Sequence, residues 1–181
     1  FALTLANQSL ALFVDDHGVI FLREPNQPDL IIRPKEEEDG ALPSAGSLLI
    51  GSLFKLNRIT GDEKYLHAAE TSLRHLSGKI ARYPGMMSAA LAALDYWISD
   101  KIEIVVVGEG AELRAMLEEI HRRYLPGRVI AVSRSGESEI SALFQNRTTA
   151  PGEVKAFVCR NSVCRLPVST AAELRKQLES L

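Results

Sequence analysis

Hydrophobic residues recur at helical spacing through most of the first hundred positions of the chain. Leu5, Leu12 and Phe13 illustrate the pattern, because residues seven or eight apart share one face of a helix. The spacing predicts four helices, over residues 2–14, about 43–59, about 62–78 and about 86–98. Asp62 suits the N-cap of the third helix. The short break before it predicts that the second and third helices form an antiparallel αα-hairpin.

The second predicted helix is apolar around most of its circumference, which is typical of a buried helix. Pro43 suits its first position, since the amide donor that proline lacks would have no partner there. Small residues at positions 44, 47 and 51 form a stripe that lets another helix or a ligand come close. We expect the α/β part and a second copy of the chain to surround this helix, or else an apolar patch larger than a few hundred Å².

The pattern changes at residues 99–100 from helical spacing to continuous β-branched runs. Residues 102–107 are typical of a strand covered on both faces. A helix over 111–123 and a second buried strand over 129–132 follow. This order predicts a βαβ unit with parallel strands and a right-handed crossover.

Shorter elements are predicted in the last forty residues. One helical turn is expected near residues 140–143, and strands are expected over 156–158 and 163–168. Ser169 or Thr170 suits the N-cap of a final helix that reaches the end of the chain.

Together these elements predict an α+β fold in two parts. Residues 1–99 form a helical region of αα-hairpins, and residues 100–181 form a small α/β domain with a partly parallel sheet. The length of 181 residues is compatible with one large domain or two small ones.

Composition excludes several classes of function. Hydrophobic residues make up 46% of the chain and charged residues 24%, with a net charge of −2. No basic excess is present to bind a phosphate backbone, so we expect no nucleic acid partner. No apolar run approaches the roughly 18 residues of a membrane span, so we expect no membrane insertion.

No signal peptide is visible, and two cysteines are too few for a disulfide-rich secreted scaffold, which favours a cytoplasmic location. Because the chain starts at Phe1, we interpret it as a fragment or a processed chain.

A charged loop precedes the second predicted helix. It carries five consecutive charges over residues 35–39 and ends in an Asp-Gly turn. It belongs to a loop of residues 15–42, and structureless loops of that length are usually functional or disordered. We predict a ligand-binding rim formed by Arg33, Lys35, Asp39 and Ser44, with Asp39 as the candidate catalytic residue. The alternative interpretation is a solvated loop without a site.

Cys159 and Cys164 are separated by four residues. A hairpin loop would bring the two thiols together, and Arg160 and Arg165 would then favour thiolate. We therefore treat both cysteines as candidates for a redox-active or metal-assisted pair, with buried structural thiols or a static contact as the alternative. The spacing is not the C-x-x-C of thioredoxin catalysis, and one pair cannot build a four-cysteine zinc site.

The remaining motifs favour neither a cofactor nor a metal. Gly108-Glu109-Gly110 lies between a predicted strand and a helix, but Leu113 occupies the third glycine position of a dinucleotide fingerprint. Glu109 and Glu112 would also repel a pyrophosphate. The four histidines are scattered and form no compact ligand set.

Several motifs resemble one family over nearly the whole chain, in the same order. They are Arg33-Pro-Lys-Glu, Asp39-Gly40-Ala41, Pro43-Ser44 with Ser47, Thr60-Gly61, Ile104 to Gly108, Tyr124-Leu125-Pro126, Ala156 to Asn161, Cys164 and Pro167-Val168. The family is that of the YyaL-type, spermatogenesis-associated thioredoxin-domain proteins, and the resemblance is to their C-terminal half. Relatives usually carry Asn where this chain has Gly46, so a polar group of theirs is missing here.

The resemblance implies a longer protein with an N-terminal thioredoxin-like domain. It also implies an (α/α) toroid resembling N-acylglucosamine 2-epimerases and six-hairpin glycosidases, whose closing helices would be present here. Three functions follow as hypotheses. The first is a binding or scaffolding module whose partners are the rest of its own chain, and which leaves room for a homo-oligomer and a sugar ligand. The second is a carbohydrate-active enzyme with a site at the toroid mouth near Asp39, and the third is a thiol redox protein.

Overall fold

The computed structural model describes residues 1–134 and 141–181. Helices come first along the chain and the sheet follows, which confirms the predicted α+β class. The chain divides into two compact units. The first unit consists of Phe1–Asn57 and Asp62–Ile98, and the second of Arg58–Gly61 and Ser99–Leu181. The division into domains of residues 1–99 and 100–181 stays a prediction.

The first unit is built from four α-helices and one 3₁₀ turn. They are α1 (Ala2–Phe13), α2 (Ala45–Thr60), α3 (Glu63–Arg82), the turn Pro84–Met86, and α4 (Ser88–Ile98). Ile50, Leu53, Tyr65, Ala69 and Met87 are almost completely buried and form the centre of this unit. All four predicted helices are therefore present, with ends that differ by a few residues.

Side-chain caps explain where two of these helices begin. The Asp62 carboxylate accepts a hydrogen bond from the Lys64 amide, as expected for the N-cap of α3. The start predicted for α2 at Pro43 is wrong, since the helix begins at Ala45. Ser44 caps it instead, because its hydroxyl accepts a hydrogen bond from the Ser47 amide at 3.1 Å. A polar cap satisfies an amide that would otherwise lack a partner.

The long loop before α2 contains an isolated β-bridge. Val14 pairs with Ile20 across a turn at Gly18. Gly18 has a φ of +79°, and a Cβ atom there would lie 2.6 Å from the backbone carbon of Thr71 in α3. Only glycine tolerates both the left-handed backbone and this close approach. The turn is therefore packed directly onto α3.

Helix α2 has one exposed apolar side. Ile50, Leu53 and Phe54 are buried, whereas Leu48 is 56% exposed. A groove of about 380 Å³ runs beside it, lined mainly by apolar residues of α1 and α2 such as Leu5 and Leu49. Leu48 is not covered by the described residues, and the choice between a helix enclosed by partners and an exposed apolar patch stays a prediction.

The described residues of the second unit form a four-stranded mixed sheet with two α-helices. Its elements are β1 (Ile102–Val107), α5 (Ala111–His121), β2 (Arg128–Ser133), a 3₁₀ turn (Ala142–Phe144), β3 (Lys155–Arg160), β4 (Val163–Cys164) and α6 (Ala171–Glu179). The strand order is β2-β1-β3-β4. β1 and β2 are parallel, which confirms the predicted βαβ unit, and the other pairs are antiparallel.

Strand β1 forms the centre of this unit. Its last four residues are completely buried, as its continuous β-branched sequence predicts. Met116 and Ile120 of α5 and Leu174 and Leu178 of α6 belong to the same buried cluster. The two helices therefore supply much of the apolar packing that anchors the sheet.

Polar contacts join the two helices of the second unit. The Glu119 carboxylate of α5 accepts hydrogen bonds from the Arg175 guanidinium of α6 at 2.6 and 3.0 Å. Thr170 is the N-cap of α6 and forms a capping box with Glu173. Of the two predicted caps, Thr170 is therefore the one used.

Among the described residues, no helix is long and apolar enough to cross a membrane.

Candidate functional site

Asp39 is almost completely buried in the first unit, at 8% exposure. Its Oδ1 accepts a hydrogen bond from the Ser44 amide at 2.8 Å. Its Oδ2 accepts hydrogen bonds from the amides of Ala89 at 2.8 Å and Ala90 at 3.3 Å. Burial would raise the pKa of the carboxyl group, but these hydrogen bonds outweigh burial and lower the pKa below its usual value. Asp39 therefore joins the beginnings of α2 and α4 as an ionised carboxylate.

Ser44 is the residue whose amide binds Asp39. Its hydroxyl donates a hydrogen bond to the Ser47 hydroxyl at 2.8 Å, and both serines are buried. Ser44 lines a cavity of about 10 Å³ together with Glu37 and Ser72. Such a volume is close to the space that one water molecule needs. Ser44 therefore lines this small cavity rather than the groove described below, and its amide binds Asp39.

Glu37 is the most highly connected side chain of the charged loop. Its carboxylate lies 2.7 Å from Lys35 Nζ, 2.7 Å from Lys79 Nζ and 3.0 Å from His75 Nε2. The side chain is only 8% exposed. Burial would raise its pKa, but the hydrogen bonds from Lys35, Lys79 and His75 outweigh burial and lower the pKa to about 2. Glu37 thus ties the charged loop to α3.

An open groove of about 630 Å³ lies over this network, and we call it the polar groove. Its lining is mostly charged, with Leu22 and Met86 as its apolar members. The other lining residues are Lys35, Glu36, Glu37, Glu38, Asp39, Gly40 and Lys79. The structure therefore brings two of the four predicted rim residues, Lys35 and Asp39, into one groove.

Arg33 contacts a different part of the loop. Its guanidinium donates hydrogen bonds to the backbone carbonyls of Arg23 and Leu12. It also lies over the Phe21 ring, 4.0 Å from the ring centroid. Arg33 is absent from the residues that line the polar groove, and its contacts brace the loop against the end of α1.

The two cysteines form a disulfide bond in the second unit. Cys159 in β3 and Cys164 in β4 are directly opposite each other, with Cα atoms 3.9 Å apart. Asn161 and Ser162 form the turn between them, both with positive φ. The prediction that the cysteines lie near each other on a hairpin is therefore confirmed. Because both sulfur atoms are in a bond, the pair is not present as buried thiols, and the choice between a static contact and a redox-active pair stays a prediction.

Arg147 approaches both sulfur atoms. Its Nη2 lies 3.1 Å from Cys159 Sγ and 3.5 Å from Cys164 Sγ. The same nitrogen lies 3.4 Å from Glu103 Oε2 on β1. The sequence indicated Arg160 and Arg165 as the cations near the cysteines. Their proximity along the chain is misleading, because side chains of successive strand residues point to opposite faces.

Sequence reasoning singled out neither the Glu37 network nor Arg147. Lys79 and His75 lie on α3, about forty residues from Glu37, and nothing in their spacing relates them to the charged loop. Arg147 lies in a polar segment without periodicity. Across residues 1–134 and 141–181, no group of three or more side chains is arranged to hold a metal ion.

The chain is homologous to spermatogenesis-associated protein 20, which confirms the resemblance drawn from its motifs. It is 26% identical to the rat protein over 98% of this chain, and 25% identical to the human protein over the same share. An uncharacterised protein of Caenorhabditis elegans is 25% identical over 86% of the chain. The chain spans about a quarter of the length of these relatives, between 22% and 24%. No family model matches it.

Proposed function

We propose that this chain is a binding module of a longer, cytoplasmic protein, and that the polar groove is its ligand site. The relatives are about four times as long as the chain, which supports a role within a larger assembly. The thioredoxin-like domain and the toroid that the resemblance implies belong to this proposal. One observation carries the proposal: the ion pairs of Glu37 with Lys35 and Lys79 hold the charged loop against α3, so that the loop forms one wall of an open groove.

A hydroxyl-rich, uncharged ligand such as a sugar suits the chemistry of this groove. Lysine ammonium groups supply donors, and the carboxylates of Glu36 and Glu38 supply acceptors. Because charges of both signs line the groove, a neutral ligand with many hydroxyl groups finds partners without strong repulsion. Leu22 and Met86 add apolar contact for the faces of a ring.

The contacts of Asp39 favour binding over hydrolysis. A general acid has to hold a proton near neutral pH. The hydrogen bonds to Asp39 lower the pKa of its carboxyl group, and they already occupy both of its oxygen atoms. We therefore assign Asp39 to the support of the groove, and the carbohydrate-active enzyme remains the second hypothesis.

Titration calorimetry with a panel of mono- and disaccharides tests the ligand class. We expect at least one sugar to bind, and Lys35→Met to weaken that binding about tenfold. Lys64→Met is the matched control, because Lys64 has similar exposure and an acidic partner in Asp62. Absence of binding for every sugar in the panel would overturn the proposed ligand class. Equal affinity in the wild type and Lys35→Met would overturn the groove as the site.

The exposed side of α2 supports a partner within the same longer protein. Leu48 and the apolar groove beside α1 and α2 would pack against further helices of a toroid. In the absence of those helices, a second copy of the chain is the partner that we propose.

A further inference from the structure

We propose that Cys159 and Cys164 are a redox-active pair that exchanges electrons with an external dithiol, and that Arg147 stabilises the thiolate which this exchange produces. The proposal concerns the second unit and is independent of the polar groove. It rests on three features of the pair: its unequal exposure, its place on a tight hairpin, and the guanidinium that contacts both sulfur atoms.

The two cysteines differ in access to solvent. Cys159 is completely buried, whereas Cys164 is exposed at the edge of the sheet. An incoming thiolate can therefore reach the sulfur of Cys164 but not that of Cys159. Thiol–disulfide exchange depends on which sulfur is attacked and on how well the other one leaves. The structure thus assigns Cys164 as the exchanging residue and Cys159 as the leaving and resolving residue.

The hairpin keeps the two residues together without the bond between them. The turn at Asn161 and Ser162 is two residues long, and the flanking residues Arg160 and Val163 are paired in the ladder. The Asn161 side chain is also bound to the Lys101 amide at 2.8 Å and to the Asp100 carboxylate at 2.6 Å. After reduction the thiols therefore stay adjacent and are ready to close again.

Arg147 is positioned to stabilise negative charge on sulfur. Its Nη1 donates a hydrogen bond to the Leu143 carbonyl at 2.6 Å, which fixes the direction of the guanidinium. Its Nη2 lies closer to Cys159 Sγ, at 3.1 Å, than to Cys164 Sγ, at 3.5 Å. Guanidinium keeps its proton at every physiological pH, and a neighbouring cation favours thiolate over thiol.

The other nearby charges act differently. Glu103, opposite Cys159 in the sheet, contacts the same nitrogen of Arg147 and offsets part of its charge. Arg160 is bound to Asp100, and Arg165 is bound to the Gln177 carbonyl and to Ser180 of the second unit. Arg147 therefore contacts both sulfur atoms, and Glu103 is the carboxylate that contacts Arg147.

The exchange balances in atoms and electrons. One thiolate of the external dithiol attacks Cys164 Sγ, so a mixed disulfide forms and the Cys159 thiolate leaves beside Arg147. The second thiolate of the dithiol then attacks the dithiol's other sulfur, which is bonded to Cys164 in the mixed disulfide. The dithiol closes to a disulfide and the Cys164 thiolate leaves. The dithiol has lost two electrons and becomes a disulfide. The protein has gained two electrons, and the two protons of the dithiol pass through solvent to the two cysteines.

The test measures the rate at which the full chain, reduced with a phosphine, reacts with iodoacetamide between pH 5 and pH 10. Mass spectrometry separates the alkylation of Cys164 from that of Cys159. We expect Cys164 to react much faster than Cys159. Arg147 Nη2 lies within 3.5 Å of Cys164 Sγ as well as of Cys159 Sγ, and one close positive charge lowers the pKa of a thiol by about one unit or more. We therefore expect Arg147→Met to slow the reaction of Cys164 about tenfold at pH 7.

A second variant shifts the same profile in the opposite direction. Glu103→Gln removes the counter-charge and keeps the side-chain shape, so the profile should move to lower pH and Cys164 should react about two to five times faster at pH 7. Arg114→Met is the control, since Arg114 is an exposed arginine on α5, and its rate should stay within about twofold of the wild type. A purely structural role of Arg147 and Glu103 would not produce shifts of opposite sign.

The competing outcomes are distinct. Equal rates for the two cysteines would overturn the assignment of Cys164. An unchanged pH profile in both Arg147→Met and Glu103→Gln would overturn the role of Arg147. If Arg147→Met does not fold, Glu103→Gln decides alone. Failure of the disulfide to form again in a glutathione buffer would overturn the redox pair as a whole.

Discussion

The Asp39 carboxylate accepts a hydrogen bond from the Ala89 amide at 2.8 Å, although the two residues are separated by 50 positions. Its other oxygen is bound to the Ser44 amide at the start of α2. One buried carboxylate thus binds the amide of the residue that caps α2 and two of the amides at the start of α4, which lack partners within their own helix. This contact makes the charged loop a part of the helical framework.

Replacement of Asp39 should therefore destabilise the first unit. We expect Asp39→Ala to lower the free energy of unfolding by about 3 kcal/mol, because three amides lose a charged acceptor in a buried site. Asp39→Asn keeps one acceptor oxygen and should cost about half as much. Urea denaturation followed by circular dichroism measures both changes. Glu36→Ala, an exposed neighbour in the same loop, should change stability by less than about 0.5 kcal/mol.

Glu37 should make stability depend on acid pH. The pKa of its carboxyl group is about 2 in the folded chain and 4.5 in the reference state. The unfolded chain binds the proton more tightly, so the stabilisation is complete above about pH 5 and is lost as the pH falls towards 2. The difference between the two pKa values corresponds to roughly 3 kcal/mol. The loss of unfolding free energy between pH 6 and pH 3 should be smaller in Glu37→Gln. Identical profiles would contradict the network.

Gly18 gives a backbone test of the packing on α3. Gly18→Ala should destabilise the chain by more than about 2 kcal/mol, because the new Cβ would meet the Thr71 backbone and the φ of +79° disfavours any side chain. Gly78→Ala is the matched control in an exposed position of α3, where a Cβ meets nothing within 4 Å. It should stabilise the helix by about 0.5–1 kcal/mol. Thermal denaturation of the two variants should therefore move in opposite directions.

The exposed side of α2 should lead to self-association of the isolated chain. Sedimentation velocity at increasing concentration should show a reversible rise in mass, which Leu48→Asp reduces. Leu42→Asp is the control, because Leu42 is 80% exposed in the loop before the helix. A monomer at all concentrations, with no difference between these variants, would contradict the proposed partner surface.

The regular elements were predictable because their signals are local. The β-branched residues from 102 to 107 specify a buried strand, and Asp62 and Thr170 are caps that can be read from their neighbours. The approach of Cys159 and Cys164 was also predictable, because a turn of two residues brings its flanking positions together. In each case the information lies within about ten residues of sequence.

The site contacts were not predictable, because they depend on the folded arrangement. Asp39 was identified as a polar residue at the rim, but its bonds to Ala89 and Ala90 require α4 to dock beside α2. Lys79 reaches Glu37 because α3 extends beyond its predicted end near residue 78. The role of Arg147 depends on its guanidinium reaching Glu103 on β1 and Cys159 on β3. Each contact joins segments whose sequences contain no shared pattern.

The disulfide between Cys159 and Cys164 closes a very small ring, since the residues are only five positions apart. A cross-link stabilises a protein mainly by restricting the unfolded chain, and the gain rises with the length of chain enclosed. For so short a ring it is about 2 kcal/mol, against more than 4 kcal/mol for a loop of about 100 residues. Reduction of the bond therefore lowers the free energy of unfolding only slightly. The oxidation state of the hairpin can change while the sheet beneath it stays folded.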